Sequence, residues 1–230
     1  MATKKTEVKT VKVLSIELVE VPITIKGTTP LIVHAWSEKA KRMMLEKQTG
    51  VAKPKKHETR IPWNDFIDSL HWLTEKPSHG ETNEEAKNNF EKAVKNGARF
   101  GFSVSGIKQS MIMGATRSGM DAKGTELKGT IFLRGSGEHS TFEYAEIVSD
   151  CPHLREDPVT VGGVGKTADL RYRAEFDEWE IPLIMQFNKN GKYSLEQLLS
   201  TVNMGGFAVG IGEWRPEKNG QHGMYRLKGQ

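Results

Sequence analysis

SLEQLLSTVNMGGFAVGIGEWRP, residues 194–216, is a helix followed by a break. Ser194 is placed to cap an amphipathic helix from Leu195 to Asn203. Gly205, Gly206, Gly210 and Gly212 then put four glycines in eight residues, and each costs a helix about 1 kcal/mol relative to alanine. Glycine also takes positive φ and admits another backbone or a ligand closely. The segment therefore predicts a helix that gives way to a shaped loop, with Arg215 and Lys218 just beyond it.

Working outward, Tyr225 lies in a short apolar run, Met224 to Leu227, that suits a closing strand. Upstream, Ala168 to Phe176 and Trp179 to Phe187 alternate like the arms of a hairpin, as do Thr130 to Arg134 and Thr141 to Val148 around Gly135-Ser136-Gly137. Val11 to Ile25 is a long Val/Ile-rich strand, with Pro22 pointing to an edge or a bend. Helical spacing marks a helix from Ser37 to about Gln48, a second around Trp63, Phe66 and Leu70, a charged third from Asn83 to Asn96, and a fourth from Ser105 to Arg117. Strand, helices, paired strands, helix, strand is the order of a β-α-β-β-α-β unit with insertions. The expected fold is α+β: a modified ferredoxin-like, RRM-like antiparallel sheet with helices on one face. It forms one domain over residues 1–230, with a helical insertion at about 37–118 and a long loop at about 149–167.

Several function classes drop out. No apolar run approaches the ~20 residues that span a bilayer, and the N-terminal lysines lack the apolar stretch of a signal peptide. A single cysteine, Cys151, excludes an internal disulfide framework and fits a reducing cytoplasm. Gly162-Gly163-Val164-Gly165-Lys166-Thr167 ends like a phosphate-binding P-loop, but Thr160 stands where its first glycine belongs, and ADLRYRAEF after it alternates like a strand. The 7 histidines form no H-x-x-x-H pair, so neither a metal nor a cofactor is expected. Asp150, Glu156, Asp157 and Asp169 crowd the long loop, yet spacing alone gives them no acid–base role.

The basic residues are more coherent, within a net charge of +4. Lys53, Lys55, Lys56 and Arg60 share one polar loop, and Lys108 and Arg117 mark the polar sides of the fourth helix. Arg171 and Arg173 flank Tyr172 and so project from one face of a strand. Arginine and lysine bind phosphate, and single strands are held by stacking bases on aromatic rings beside a basic groove. Tyr172 and Trp214 are the candidate platforms, while Trp63 reads as core.

Gly205-Gly206 followed by Gly210-x-Gly212 resembles the C-terminal glycine-rich loop of the repeat-associated RNA-binding (RAMP) proteins that form the backbone of CRISPR effector complexes. Phe207-Ala208-Val209 departs from that family, which usually holds basic residues between these glycines. The lysine-rich chain without an enzyme motif is also similar to phage accessory proteins, single-strand annealing proteins among them. Either resemblance implies a non-enzymatic protein that coats a nucleic acid strand by polymerising along it.

The expected function is non-catalytic binding of single-stranded DNA or RNA by a homo-oligomer, in the cytoplasm of a bacterium or phage-infected host. Lys53, Lys55, Lys56, Arg60, Lys108, Arg117, Arg171, Arg173, Arg215 and Lys218 would neutralise the backbone. Gly205, Gly206, Gly210 and Gly212 would admit the strand, and Tyr172 or Trp214 would stack. One rival is a self-assembling phage component that binds no nucleic acid. Another is an oligomeric sponge for a small anionic nucleotide.

Overall fold

The computed structural model describes residues 15–36, 38–50, 59–161 and 167–229. The first part of the chain forms β1 (Leu18–Gly27), β2 (Leu31–Val33), α1 (Glu38–Gln48), α2 (Pro62–Ser69), β3 (His71–Trp72), α3 (Asn83–Lys95), β4 (Phe100–Ser103) and α4 (Val104–Arg117). The middle forms α5 (Gly124–Thr130), β5 (Phe132–Gly135), β6 (Tyr144–Glu146), β7 (Val148–Ser149), β8 (His153–Val161) and β9 (Thr167–Phe176). The chain then runs through β10 (Trp179–Asn188), α6 (Leu195–Ala208), a 3₁₀ turn (Pro216–Lys218) and β11 (Tyr225–Leu227).

β1, α4, β5, β10, α6 and β11 make the ferredoxin-like core. Their strands lie in the order β11-β1-β10-β5, each antiparallel to its neighbour. β10 fills the slot that the β1-α4-β5 crossover leaves open, the split βαβ arrangement. Trp179, Ile181, Leu183, Met185 and Phe187 of β10 alternate into the core. Pro22 is tolerated in β1 because β11 pairs only with Ile25–Gly27, which leaves the strand paired on one side around Pro22.

Two excursions interrupt the core. Residues 28–103 carry β2 to β4 with three helices, and residues 136–178 carry β6 to β9. Together they build the sheets β2-β9-β8 and β3-β4-β6. Thr82 caps α3 through its side chain, and Pro62 opens α2 at a position where its missing N–H costs nothing. Trp63, Phe66 and Phe90 pack ring against ring between α2 and α3, so Trp63 takes its core reading. Ser37, the expected cap of α1, lies outside the described residues.

Both expected hairpins are corrected. β5 pairs with β10, and β6 pairs with β4; the chain between them crosses closely over Gly135, where a Cβ would stand 2.5 Å from Ser140 and 2.8 Å from the Ala145 Cα. β9 pairs with β2 and β8, while β10 is occupied by β1, β5 and β7. Asp177-Glu178 therefore passes the chain from one sheet to another. The loop expected at about 149–167 holds strand β8 over His153–Val161. Pro158 suggested a loop, but β8 is an edge strand and accepts it.

The largest correction concerns α6. It runs to Ala208 rather than stopping at Asn203, with Gly205 and Gly206 inside it. A Cβ on Gly114 of α4 would stand 2.4 Å from the Gly205 Cα, and one on Gly206 would stand 1.8 Å from the Tyr225 carbonyl oxygen. Ser110 Oγ donates to the Gly205 carbonyl at 3.1 Å, and Tyr225 OH donates to Ser110 Oγ at 3.0 Å. These glycines let two helices and β11 touch, and that packing outweighs their poor helix propensity. Gly206→Ala should thus cost about 3 kcal/mol, the upper end of overpacking, read as a lowered urea midpoint. Gly129→Ala in α5, with nothing within 4 Å of the new Cβ, should raise stability by about 0.5–1 kcal/mol.

Candidate nucleic-acid interface

A groove of about 890 Å³ lies between α1, α2 and β9. Arg60 immediately precedes α2, whose far end is tied to β9 by Ala174 N–H donating to Ser69 Oγ at 2.9 Å. That docking brings Arg60 over β9, with its guanidinium 5.4 Å from the centre of the Tyr172 ring. Arg60 Nη1 donates to Asp169 Oδ1 at 2.8 Å, and its Nε pairs with Asp65. Arg171 Nε lies 3.1 Å from Asp169 Oδ2. Burial, then Glu156 opposite on β8, pushes the Tyr172 phenol above its usual pKa. Arg60 therefore meets Arg171 and Tyr172 from a distant point of the sequence.

Sequence reasoning missed part of this lining. Arg42 from α1, Lys76 after β3 and His34 after β2 also face the groove; Lys39-Ala40-Lys41-Arg42 is a short basic run that could have marked Arg42, whereas Lys76 and His34 stand in none. The groove is less basic than expected, since Asp65, Asp68 and Asp169 face Arg42, Arg60, Lys76 and Arg171. Lys76 Nζ is 2.5 Å from Asp68 Oδ1, which also faces His79 Nε2 at 2.8 Å. Among the described residues no group of three His, Cys, Asp or Glu is placed to hold a metal ion. No described helix is long and apolar enough to cross a membrane.

Arg173 is not in the groove, although it shares a strand face with Arg171. The chain from Ile211 to Gly223 docks over that end of β9, through Glu213 N–H to Ile32 carbonyl at 2.9 Å and Gly223 N–H to Pro30 carbonyl at 2.7 Å. Arg173 and Asp157 are sealed beneath it, with side chains 8% and 6% exposed and 3.1 Å apart. Arg155 bonds the same Asp157 at 2.8 Å and Glu175 at 3.0 Å. The expected phosphate donor is thus a buried structural ion.

The residues after α6 form a separate cluster. Glu217 receives Arg215 at 2.7 Å on one carboxylate oxygen and Arg117 at 3.2 Å on the other. Arg215 Nη1 also donates to the Gly212 carbonyl at 2.8 Å. Lys218 is exposed on the 3₁₀ turn, and Trp214 is 40% exposed with φ of 50°. Gly210 and Gly212 have φ of +69° and +76° and serve the protein's own packing, since a Cβ on Gly212 would stand 2.4 Å from the Ile32 carbonyl oxygen. They line a second hollow of about 250 Å³, which shares His34 with the groove. Lys108 belongs to neither place: its Nζ donates to the Lys128 carbonyl at 2.8 Å and lies 4.7 Å from the Phe132 ring centre. Burial lowers its pKa. Lys53, Lys55 and Lys56 lie outside the described residues.

The main sheet face opposite α4 and α6 is also ion-paired. Glu20 takes Arg134 at 2.9 Å and the Gln186 amide at 3.1 Å, while Glu180 takes Lys228 at 2.7 Å.

Fold and site together define an α+β protein with a ferredoxin-like core and a mixed-charge groove built by its insertions. No family model matches the chain, and no curated protein matches it significantly. Among solved structures it is similar to the crystal structure of Cmr6 from Pyrococcus furiosus, over 92% of this chain and 99% of that one, at 12% identity and a TM-score of 0.36. A likeness at that score carries no argument about the site, and the fold assignment rests on strand order and connectivity.

Two outcomes follow from the buried ions. Arg173→Ala leaves Asp157 with Arg155 as the remaining one of these two ion-pair partners and should cost about 1–3 kcal/mol, measured by urea unfolding. Glu213 sits beside them: the His34 ring at 3.7 Å, and against its burial Arg173 and Arg215, hold its pKa below the usual value. A lowered carboxylate pKa stabilises the fold above the unfolded value and loses that contribution as pH falls through the folded one. Glu213→Gln should therefore lower the midpoint near neutral pH and flatten its decline below about pH 4.3.

Proposed function

We propose that this protein binds a single strand of nucleic acid along the groove between α1, α2 and β9, without performing chemistry on it. The observation that carries the reading is the convergence of Arg60, Arg171 and Tyr172 with Arg42 and Lys76 on one open surface. A guanidinium beside a phenol ring offers a phosphate donor next to a stacking plane. Other parts of the chain support the two roles unequally. Arg173 is sealed, Lys108 lies apart, and Arg117 and Arg215 share Glu217 away from the groove, so the reading rests on the groove.

Assembly of copies along the strand belongs to the same proposal. Its support is the exposed Met44 and Leu45 of α1. Exposed apolar side chains are a surface that protomers use. One observation favours the second reading, a small nucleotide ligand: the groove's volume falls within the range of single-ligand clefts.

Fluorescence anisotropy with labelled single-stranded RNA and DNA of increasing length, and a dinucleotide as competitor, separates the two. The strand reading expects affinity to rise with length and fall steeply with salt. Tyr172→Ala should weaken binding by about 1–3 kcal/mol, the worth of one stacked base, while Arg60→Ala with Arg171→Ala should flatten the salt dependence. Binding that saturates at a dinucleotide supports the small-ligand reading. No binding to either polymer at low salt rejects the strand reading.

A further inference from the structure

One carboxylate in the groove already occupies the place suited to an anionic ligand. Asp169 offers each oxygen to a different arginine, Oδ1 to Arg60 Nη1 at 2.8 Å and Oδ2 to Arg171 Nε at 3.1 Å. Two guanidinium groups converging on the two oxygens of one anion is how arginines hold an oxyanion. The seat is preformed: the Tyr172 ring flanks Arg60, whose Nε is held by Asp65. It is also open, with the Arg60, Arg171 and Asp169 side chains 39%, 35% and 31% exposed. Ion pairs this exposed contribute little to stability, so exchanging the partner costs the fold little. Asp169 lies between the exposed Ala168 and Leu170, so the core does not depend on it.

We infer that Asp169 is a resident anion, holding the seat between Arg60 and Arg171 until a phosphate of the bound strand displaces it, and so raising the number of phosphate contacts that a ligand needs in order to bind. The inference rests on the strand-binding reading above. A single phosphodiester carries the same charge as the carboxylate it would replace, and the carboxylate is tethered. A short ligand therefore exchanges one anion for another with little gain. A strand that spans the groove brings neighbouring phosphates to Arg42 and Lys76 as well, and those contacts drive the exchange. Asp65 engages Arg60 alone, which makes it the weaker competitor.

The test measures anisotropy of labelled oligouridylate and of a labelled diuridylate with wild type, Asp169→Asn, Asp169→Ser and Asp65→Asn, each first checked for an unchanged melting curve. Removing the Asp169 charge should tighten oligouridylate binding about fivefold and leave the salt slope nearly unchanged, because the same phosphates are neutralised in both complexes. Diuridylate, which must displace the same carboxylate, should gain by about the same factor, and Asp65→Asn should give a smaller change. Equal or weaker binding by both folded Asp169 variants, with wild type binding normally, overturns the resident-anion role and leaves the groove reading standing. Opposite effects of Asn and Ser also overturn it, because charge would then not be the cause. Failure of every form to bind rejects the groove reading itself, and the resident-anion role with it.

Discussion

The contact between α6, α4 and β11 sets the rest of the molecule in place. Gly114, Gly205 and Gly206 remove the side chains that would separate these elements, and the Ser110 and Tyr225 hydroxyls tie them together. Because α6 is seated so closely, the chain leaves it at Gly210 aimed back over β2, where Gly212 passes within contact of Ile32 and Glu213 bonds its carbonyl. That segment covers one end of β9 and buries Arg173, while the part of the strand beyond it stays open and presents Arg171 and Tyr172. A helix crossing in the core thus decides which arginines of a distant sheet meet solvent.

Charge in this protein is largely internal bookkeeping between neighbours. Arg173 and Arg155 neutralise Asp157 and Glu175 under the docked segment, Arg117 and Arg215 share Glu217, and the open face of the main sheet alternates in sign. A burial gradient along β9 separates structural ions from available ones. Arg171 is about a third exposed and Arg173 is sealed, although the two are only one strand repeat apart.

The sequence revealed this fold through period and punctuation. The alternation of β10, the spacing of α2 and α4, and the Ser194 capping box lie in local residues, and they supported the ferredoxin-like order. What stayed hidden was pairing. Two apolar runs joined by a short turn look like a hairpin, and nothing local shows that β10 has its edges taken by strands from elsewhere. The glycines misled for a related reason: their helix propensity is local, whereas the Gly114–Gly205 approach that overrides it spans two helices. Arg60, Arg171 and Tyr172 were legible as residue types, but Asp169 as the partner of both arginines required the docking of α2 on β9.

The ribbon of β8 and β9 is held firmly at one end and, towards the other, by the exposed Arg60–Asp169 pair. Near Phe176 it is gripped by β2, by buried ions and by the two-residue passage into β10, whose first residue, Trp179, is locked by its indole N–H on the Thr29 carbonyl at 2.9 Å. Towards Thr167 and Ala168 it has its own nine-residue pairing and little cover. The root of the ribbon is thus anchored in the core through Trp179, with two residues between it and β9, although β9 and β10 share no ladder.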